Sequence, residues 1–396
     1  MAGVFAFPAL LPNFVDEWRL SNTEAGWISG LYFAAHALSA PPIVALTDRI
    51  DARRIYVAGA LLAALAAVGF SLFADGFWSA LTFRVLAGIA LAATYMPGLR
   101  LLVDRYRGET PSRAISFYTA SFSLGTAFSF FLTGQLATEF GWRAAFAATA
   151  AAALIAAVVP LALGPALPEH APVDRTGDGR GVLGVLDIRP VLANRAALSY
   201  IVSYGVHCWE LFALRSWLVA FLSFCVGLQA GTPAAWIAPT TVATLSGLVA
   251  MAASIGGNEL ALSFGRRRLI ALVMVASAAA AAGIGFTVSS PYALVVGLAL
   301  AYTLLVQLDS AALTAGSVET ALPGQRGATL ALHSLFGFGC AGIGPVVFGR
   351  VLDASGGGGT ASSWGLAFLS VAVVGTLGPL ALFLLPLRLA PPGDKN

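Results

Sequence analysis

Residues 55–74 read IYVAGALLAALAAVGFSLFA, a run of twenty residues without a charged side chain. With a rise of about 1.5 Å per residue, such a run forms a helix about 30 Å long, which matches the thickness of the hydrocarbon core of a bilayer. Similar runs recur along the whole chain. They indicate a protein built from membrane-spanning helices.

The composition of the 396 residues supports this interpretation. Hydrophobic residues make up 58% of the chain and charged residues only 10%, whereas soluble domains carry about 25% charged residues. This is too little charge to cover the surface of a soluble protein, and the chain is too apolar to be disordered. The net charge of +3 comes from dispersed residues, which argues against nucleic-acid binding. We expect an all-α integral membrane protein.

The sequence contains no pattern typical of an enzyme or a metal site. It lacks a phosphate-binding loop with lysine, an HExxH pair and a serine nucleophile elbow. Cys208, Cys225 and Cys340 lie in apolar stretches without CxxC spacing and are interpreted as small hydrophobic residues. We therefore expect neither catalysis nor a cofactor nor a bound metal.

Twelve apolar runs are candidate transmembrane helices. They lie near 1–15, 24–46, 55–74, 78–101, 112–137, 143–165, 196–224, 237–257, 269–288, 291–316, 327–350 and 364–387. The first run would be only about 22 Å long, short of the bilayer core, and resembles the second half of a truncated span. A shortened first helix would leave an exposed groove in its bundle.

The basic residues predict the orientation. If both termini are cytoplasmic, 17 of the 22 lysines and arginines lie on the cytoplasmic side, as the positive-inside rule requires. We expect a multi-pass protein of the inner (cytoplasmic) membrane with both termini in the cytoplasm.

A polar stretch divides the chain into two similar halves. Residues 166–195 read as a cytoplasmic linker between an N-terminal six-helix bundle, 1–165, and a C-terminal one, 196–396. GWRAAF at 141–146 opens span six, and SWGLAF at 363–368 opens span twelve. Two six-span halves joined by a linker are typical of transporters built from parallel repeats.

The loop after span two carries the most specific motif. Asp48, Arg49, Arg53 and Arg54 match the pattern G-x-x-x-D-R-x-G-R-R, although Ala45 and Asp51 replace its glycines. The loop therefore resembles that of the major facilitator superfamily. The corresponding loop of the second half keeps Gly265, Arg266 and Arg267 but has Leu262 in place of the acid.

This resemblance implies twelve helices in two bundles around a central cavity, with the loop residues as a gating latch. Asp48 could accept hydrogen bonds from a neighbouring helix N-terminus, and the arginines could pair with acids of the other half. The alternative is that these arginines only determine topology. Arg266 and Arg267 are candidates for the same role in the second half.

Span seven places ionisable residues inside the membrane. Tyr200, Ser203, His207, Glu210 and Trp217 share one stripe of the helix. Glu210 and His207 are three residues apart and could share a proton. Ionisable residues within spans mark function more often than structure. The alternative is a network that only holds span seven to its neighbours.

Two further charged residues lie in predicted spans. Asp309 shares a face of span ten with Tyr302, and it could support Glu210 or only brace a helix end. Arg84 matches the R-x-x-x-G pattern of the superfamily in span four. The resemblance implies a proton relay or a helix brace for Arg84, while its guanidinium could also bind a substrate anion. Together with Tyr204 these residues form the expected coupling site.

Other polar residues and glycines have simpler interpretations. His36 and His333 lie near small and hydroxyl residues and are interpreted as interface histidines rather than relays. The glycine-rich segment 337–349 predicts close helix packing in span eleven. Span five lacks the G-P-x-x-G-G pattern of drug/proton antiporters in the superfamily, which weakens an antiporter interpretation.

The sequence therefore predicts a monomeric secondary transporter that moves a small solute, an organic anion or a metabolite, by alternating access. Protons would drive it, as in a symporter. Two alternatives remain open, a drug/proton efflux antiporter and a non-transporting scaffold or sensor.

The orientation can be tested at the linker. In a variant whose three cysteines are replaced by serine, Asp178→Cys is expected to react with a membrane-impermeant maleimide only when the cytoplasmic side is exposed. The same experiment on Arg143→Cys, at the predicted outer end of span six, should give the opposite result. Labelling of residue 178 from the outside alone would overturn the topology.

Overall fold

The computed structural model describes residues 1–47, 49–103, 111–163, 188–229, 234 and 237–387, with the side chains of residues 103, 111–117, 119 and 120 left out. Within these ranges every regular element is helical and no strand occurs. The α-helices are α1 (Ala6–Ala9), α2 (Leu11–Trp18), α3 (Asn22–Leu46), α4 (Ala52–Phe73), α5 (Phe77–Val103), α6 (Pro111–Val158), α7 (Arg189–Ala193), α8 (Arg195–Gly227), α9 (Pro239–Phe264), α10 (Arg266–Ile284), α11 (Tyr292–Leu308), α12 (Ser310–Glu319), α13 (Arg326–Ala354), α14 (Ala361–Gly375) and α15 (Leu377–Leu387).

Ten helical segments within the described residues are long and apolar enough to cross a membrane. Two features explain the difference from the twelve predicted runs. The first run is broken into α1 and α2, which are both too short to span a bilayer. The fifth and sixth runs lie in one helical segment, α6, which changes direction at Gly141, where φ is 81° and ψ is 166°. Most of the expected linker, residues 164–187, lies outside the described residues.

Polar residues begin several helices as their local sequence requires. Ser21 and Glu24 form a reciprocal capping box at the start of α3, with Glu24 N–H donating to Ser21 Oγ at 3.2 Å and Ser21 N–H donating to Glu24 Oε2 at 2.8 Å. Asp51 starts α4 by accepting a hydrogen bond from Arg53 N–H at 2.8 Å. The acid that replaces a motif glycine at position 51 is therefore a helix cap.

Helices α3 and α13 are antiparallel and pack closely along the half of α3 that begins at Asn22. A side chain at Gly30 would collide with the carbonyl oxygen of Gly342, and one at Gly349 with that of Asn22. The close packing predicted from the glycines of span eleven is confirmed. Helices α6 and α9 approach in the same way, since Gly247 lies against the backbone of Ala127.

Asp353 ties the end of α13 to the start of α3. Its Oδ1 accepts hydrogen bonds from the backbone N–H of Asn22 at 3.0 Å and from its side-chain amide at 2.8 Å. Its Oδ2 accepts from the backbone N–H of Thr23 at 2.8 Å and from its hydroxyl at 2.5 Å. A carboxylate is favoured at a helix N-terminus because the unpaired N–H groups and the helix dipole both attract negative charge. The carboxylate therefore acts as a cap supplied by another helix.

Replacing Asp353 should measure the strength of this tie. In Asp353→Asn the amide nitrogen would face the N–H donors of one of the two residues, Asn22 or Thr23. We therefore expect the free energy of unfolding to fall by about 1–3 kcal/mol and the melting temperature to fall with it. Asp75→Asn is the matched control, because Asp75 is exposed and its carboxylate accepts a hydrogen bond from the nearby Ser79 side chain. Equal melting temperatures for the two purified variants would contradict the assignment.

Candidate functional site

The candidate site lies along α8, the helix that contains predicted span seven. Its ionisable residues His207, Glu210 and Arg215 are at most 4% exposed. Ions without partners are costly at this depth in an apolar bundle. The contacts that each side chain makes therefore show how the site is built.

His207 contacts the acid that follows α11. Its Nδ1 lies 2.7 Å from Oδ1 of Asp309, and the two side chains are 1% and 3% exposed. The two atoms lie within ion-pair distance, but neither makes a well-aligned hydrogen bond within the described part of the chain. Asp309 is placed there because the helix ends at Leu308 and restarts at Ser310. The structure therefore brings together two of the residues that the sequence singled out.

Glu210 lies in a different environment. Its Oε2 accepts a hydrogen bond from the Ser277 hydroxyl of α10 at 3.2 Å. The hydroxyl of Tyr302 interacts with the same carboxyl group, but neither Glu210 Oε1 nor this hydroxyl completes a well-aligned hydrogen bond. No basic side chain of the described residues lies within ion-pair distance of Glu210. Glu210 is therefore a buried carboxyl group held by hydroxyl groups alone.

The expected direct contact between Glu210 and His207 is not seen. His207 Nδ1 points instead to Asp309 on another helix. Residues three apart on a helix are neighbours about 5–6 Å apart at Cβ, which permits a contact without requiring one. The His207–Asp309 pair and Glu210, which follows one turn later on α8, are together called the buried cluster.

Aromatic stacking extends this cluster to α13. The Tyr204 ring lies between the rings of His207 and His333, with centroid distances of 5.7 Å and 3.7 Å. His333 contacts the hydroxyls of Ser317 at 3.0 Å and Thr314 at 3.3 Å. This histidine is hydrogen-bonded at an interface, as the sequence indicated. The buried ring of His36 packs on Phe338, and its Nδ1 makes no hydrogen bond within the described part of the chain.

Arg84 lies apart from the cluster and braces the start of the chain. Its guanidinium donates hydrogen bonds to the carbonyl oxygens of Gly3 at 3.1 Å and Val4 at 2.8 Å and stacks over the Tyr32 ring at 4.1 Å. A cavity of about 110 Å³, lined mainly by small and aromatic residues, adjoins it. The contacts of Arg84 fit the bracing interpretation.

The predicted gating residues are only partly described. Asp48 lies outside the described residues, and Arg49 and Arg54 are exposed. In the second half, Arg266 pairs with Glu319 at 2.8 Å, which ties the start of α10 to the end of α12. The Arg267 guanidinium lies 5.8 Å from the Tyr200 ring centre.

Sequence reasoning missed several contacts in the site. Ser277 lies in an alanine-rich run that carries no signal, although it is the hydroxyl that holds Glu210. Asp353 could have been suspected, because an acid at the end of a membrane span needs a partner. Arg215, which lies inside predicted span seven and was not among the predicted coupling residues, is also buried, at 4% exposure.

Solved structures of transporters share this fold. The crystal structure of a bacterial homologue of the human lysosomal transporter Spinster, described as inward-facing and unoccupied, superimposes with a TM-score of 0.79 and 18% identity over 96% of this chain and 93% of that one. A crystal structure of the nucleoside transporter NupG, solved as a point mutant, gives a TM-score of 0.73 and 14% identity over 96% of each chain.

Curated relatives match parts of the chain. A probable sphingolipid transporter, spinster homologue 2 of Arabidopsis thaliana, is 24% identical over 51% of this chain and 44% of its own length. A putative metabolite transport protein of Haemophilus influenzae is 25% identical over 52% of this chain and 51% of its own. The chain thus spans about half the length of these relatives, which are transporters and not enzymes.

The family model described as Major Facilitator Superfamily matches residues 1–257 of the 396. The helical fold, the buried charges and the transporter relatives agree with this match. The chain is a multi-pass membrane protein that belongs to the Major Facilitator Superfamily.

Proposed function

We propose that this protein is a proton-coupled secondary transporter that moves a small organic anion across the bacterial inner membrane by alternating access. Membership of the superfamily supports transport. The observation that carries the coupling is the cluster of Glu210 with the His207–Asp309 pair, buried in the second half of the chain. Ionisable side chains buried inside a membrane protein can exchange protons only if water reaches them at some stage of the transport cycle.

The fold would consist of twelve spans in two bundles, residues 1–165 and 196–396, joined by the linker 166–195. The turn at Gly141 supports counting α6 as two spans, since each arm has about the length that a bilayer requires. The α3–α13 and α6–α9 contacts would form the interface between the bundles. We expect a monomer, because the buried charged residues of both bundles can be covered by helices of the same chain.

The packing of α3 against α13 supports an inward-facing conformation. The end near Asn22 is tied to Asp353, whereas Leu46 at the other end of α3 is 42% exposed. With both termini in the cytoplasm, the tied end faces outward. Asp353 would then act as an outer latch that must open for the solute to enter from outside.

The transport cycle would use Glu210 as the site of proton exchange. When the outer latch opens, water reaches Glu210, which takes up a proton from outside. Closure of the outer end and opening of the inner end then let the proton leave to the cytoplasm. Asp309 would hold the His207 ring in place through their 2.7 Å contact, while Tyr302 and Ser277 orient the carboxyl group of Glu210.

The loop motif would control closure at the cytoplasmic end. Asp48 and the arginines at 49, 53 and 54 would hold the two halves together when that end is shut, with Arg266 and Arg267 in the equivalent loop. We expect Asp48→Asn to slow transport without abolishing solute binding, because the proposed role of this motif is to control closure and not to recognise the solute. Uptake and binding assays on the same purified variant would measure both, and loss of binding by a well-folded Asp48→Asn protein would contradict the gating role.

Export of amphipathic compounds is the second candidate function. Phe5, Phe33, Phe130 and Phe212 form a buried aromatic cluster where the two halves meet, which could accommodate an apolar solute. An exporter would expel the compound when protons flow inward, whereas a symporter would accumulate it. A scaffold would do neither, so flux in proteoliposomes separates the three functions.

The coupling role can be tested on Glu210→Gln in proteoliposomes, with an organic anion identified by a thermal-shift screen. We expect proton-driven accumulation to be lost while exchange of labelled for unlabelled anion remains, because only the titratable group is removed. Glu259→Gln makes the same chemical change at an exposed position of α9 and should transport normally.

His207→Ala extends this test, since it should shift the pH optimum of accumulation. Wild-type accumulation by Glu210→Gln would overturn the coupling role. A joint loss of stability and exchange in both variants would instead assign the cluster to the structure of the bundle.

A further inference from the structure

Arg215 is a buried cation without an anionic partner among the described residues. Its only hydrogen bond within that part of the chain runs from Nη2 to Oε1 of Gln307, at 3.4 Å. No acid in the described ranges lies within the 4.0 Å that defines an ion pair with it. A long hydrogen bond to a neutral amide compensates little of the cost of removing a guanidinium from water.

The surroundings of Arg215 differ from those of Glu210. The two residues are five apart on α8, which places them about 140° apart around the helix. The guanidinium lies 5.7 Å from the ring centre of Phe5 and 5.8 Å from that of Phe212. Phe5 in turn stacks on Phe130 and contacts Phe33. Arg215 therefore borders the aromatic cluster where the two halves of the chain meet.

Arg84, another buried arginine of the bundle, offers a useful comparison. Its guanidinium donates to two carbonyl oxygens and lies closely over an aromatic ring. These contacts occupy both Nη atoms of Arg84 and leave only its Nε without a hydrogen-bond partner among the described residues. Arg215, at similar burial, lacks such partners within the described ranges.

We propose that Arg215 binds the carboxylate of the transported solute and that the phenylalanine cluster beside it receives the solute's apolar body. The planar guanidinium can hold a carboxylate through two parallel hydrogen bonds, which an amide or an amine cannot reproduce. The solute class is accordingly a monocarboxylic acid with an aromatic or otherwise apolar body. This inference rests on the proposed transport function and names its substrate class.

The site would be closed in the present conformation and open during the cycle. Gln307 occupies one donor of Arg215 while the solute is absent, and its neutral amide can be displaced at little cost. The anion would neutralise the guanidinium on binding, so that the net charge buried at this site falls from +1 to zero. Bound solute would therefore stabilise the closed state of the protein.

Binding of benzoate and benzamide to the purified protein tests the proposal. The two probes have the same shape, but only benzoate carries a charge. We expect wild type to bind benzoate at least about tenfold more tightly than benzamide. Arg215→Gln and Arg215→Lys should both lose this preference. Arg143→Gln, which removes an exposed arginine stacked on Trp142, is the matched control and should keep it.

Gln307→Glu is a second variant that distinguishes loss of the binding site from misfolding of the Arg215 variants. It places a carboxylate of the same shape beside Arg215, which should stabilise the protein and abolish benzoate binding by supplying the anion internally. Equal binding of benzoate and benzamide by wild type, or undiminished benzoate binding by Gln307→Glu and Arg215→Lys, would overturn the proposal.

The fate of the proposed function is measured separately. Arg215-dependent benzoate binding without any flux in proteoliposomes would contradict transport and leave the binding site standing. Proton-driven uptake of other solutes with no Arg215-dependent benzoate binding would contradict the binding site and leave the transport function standing.

Discussion

The structure depends on the cost of placing ionisable side chains in an apolar bundle. Helices that carry charged residues can cross a membrane only if each buried charge finds a partner or meets water at some stage. His207 and Asp309 lie within ion-pair distance of each other, and the guanidinium of Arg84 donates to two backbone carbonyls. Glu210 and Arg215 are left with neutral partners among the described residues. These two residues are the places where a proton and an anion would lower the energy of the molecule.

The close packing of α3 and α13 sets which end of the molecule can open. Glycines allow the two helices to touch along the half near Asn22, and the four hydrogen bonds of Asp353 hold that end. These contacts join one helix to the other, so that breaking them leaves the hydrogen bonds within each helix intact. The aromatic cluster around Phe5 and Phe212 lies deeper at the same interface. A solute that enters there would meet apolar rings and the guanidinium of Arg215 together.

Much of the architecture could be predicted from the sequence, because the residue types alone show which segments can enter a membrane without burying charge. The apolar runs, the basic loops and the stripe with His207 and Glu210 all follow from composition and periodicity. Pairing could not be predicted in the same way. Whether His207 meets Glu210 or Asp309 depends on how α8 and α11 are rotated, and on the helix break at Asp309, which no local pattern indicates. The turn at Gly141 and the cap supplied by Asp353 likewise arise from contacts between distant segments.

The central claim is that Glu210 exchanges a proton with water. Infrared difference spectroscopy of the purified protein in lipid, taken between acidic and alkaline buffer, reports this directly through the C=O stretching band of a protonated carboxyl group. The account predicts that wild type and Glu259→Gln share a pH-dependent band that is missing from Glu210→Gln. An identical set of pH-dependent bands in wild type and Glu210→Gln would contradict it.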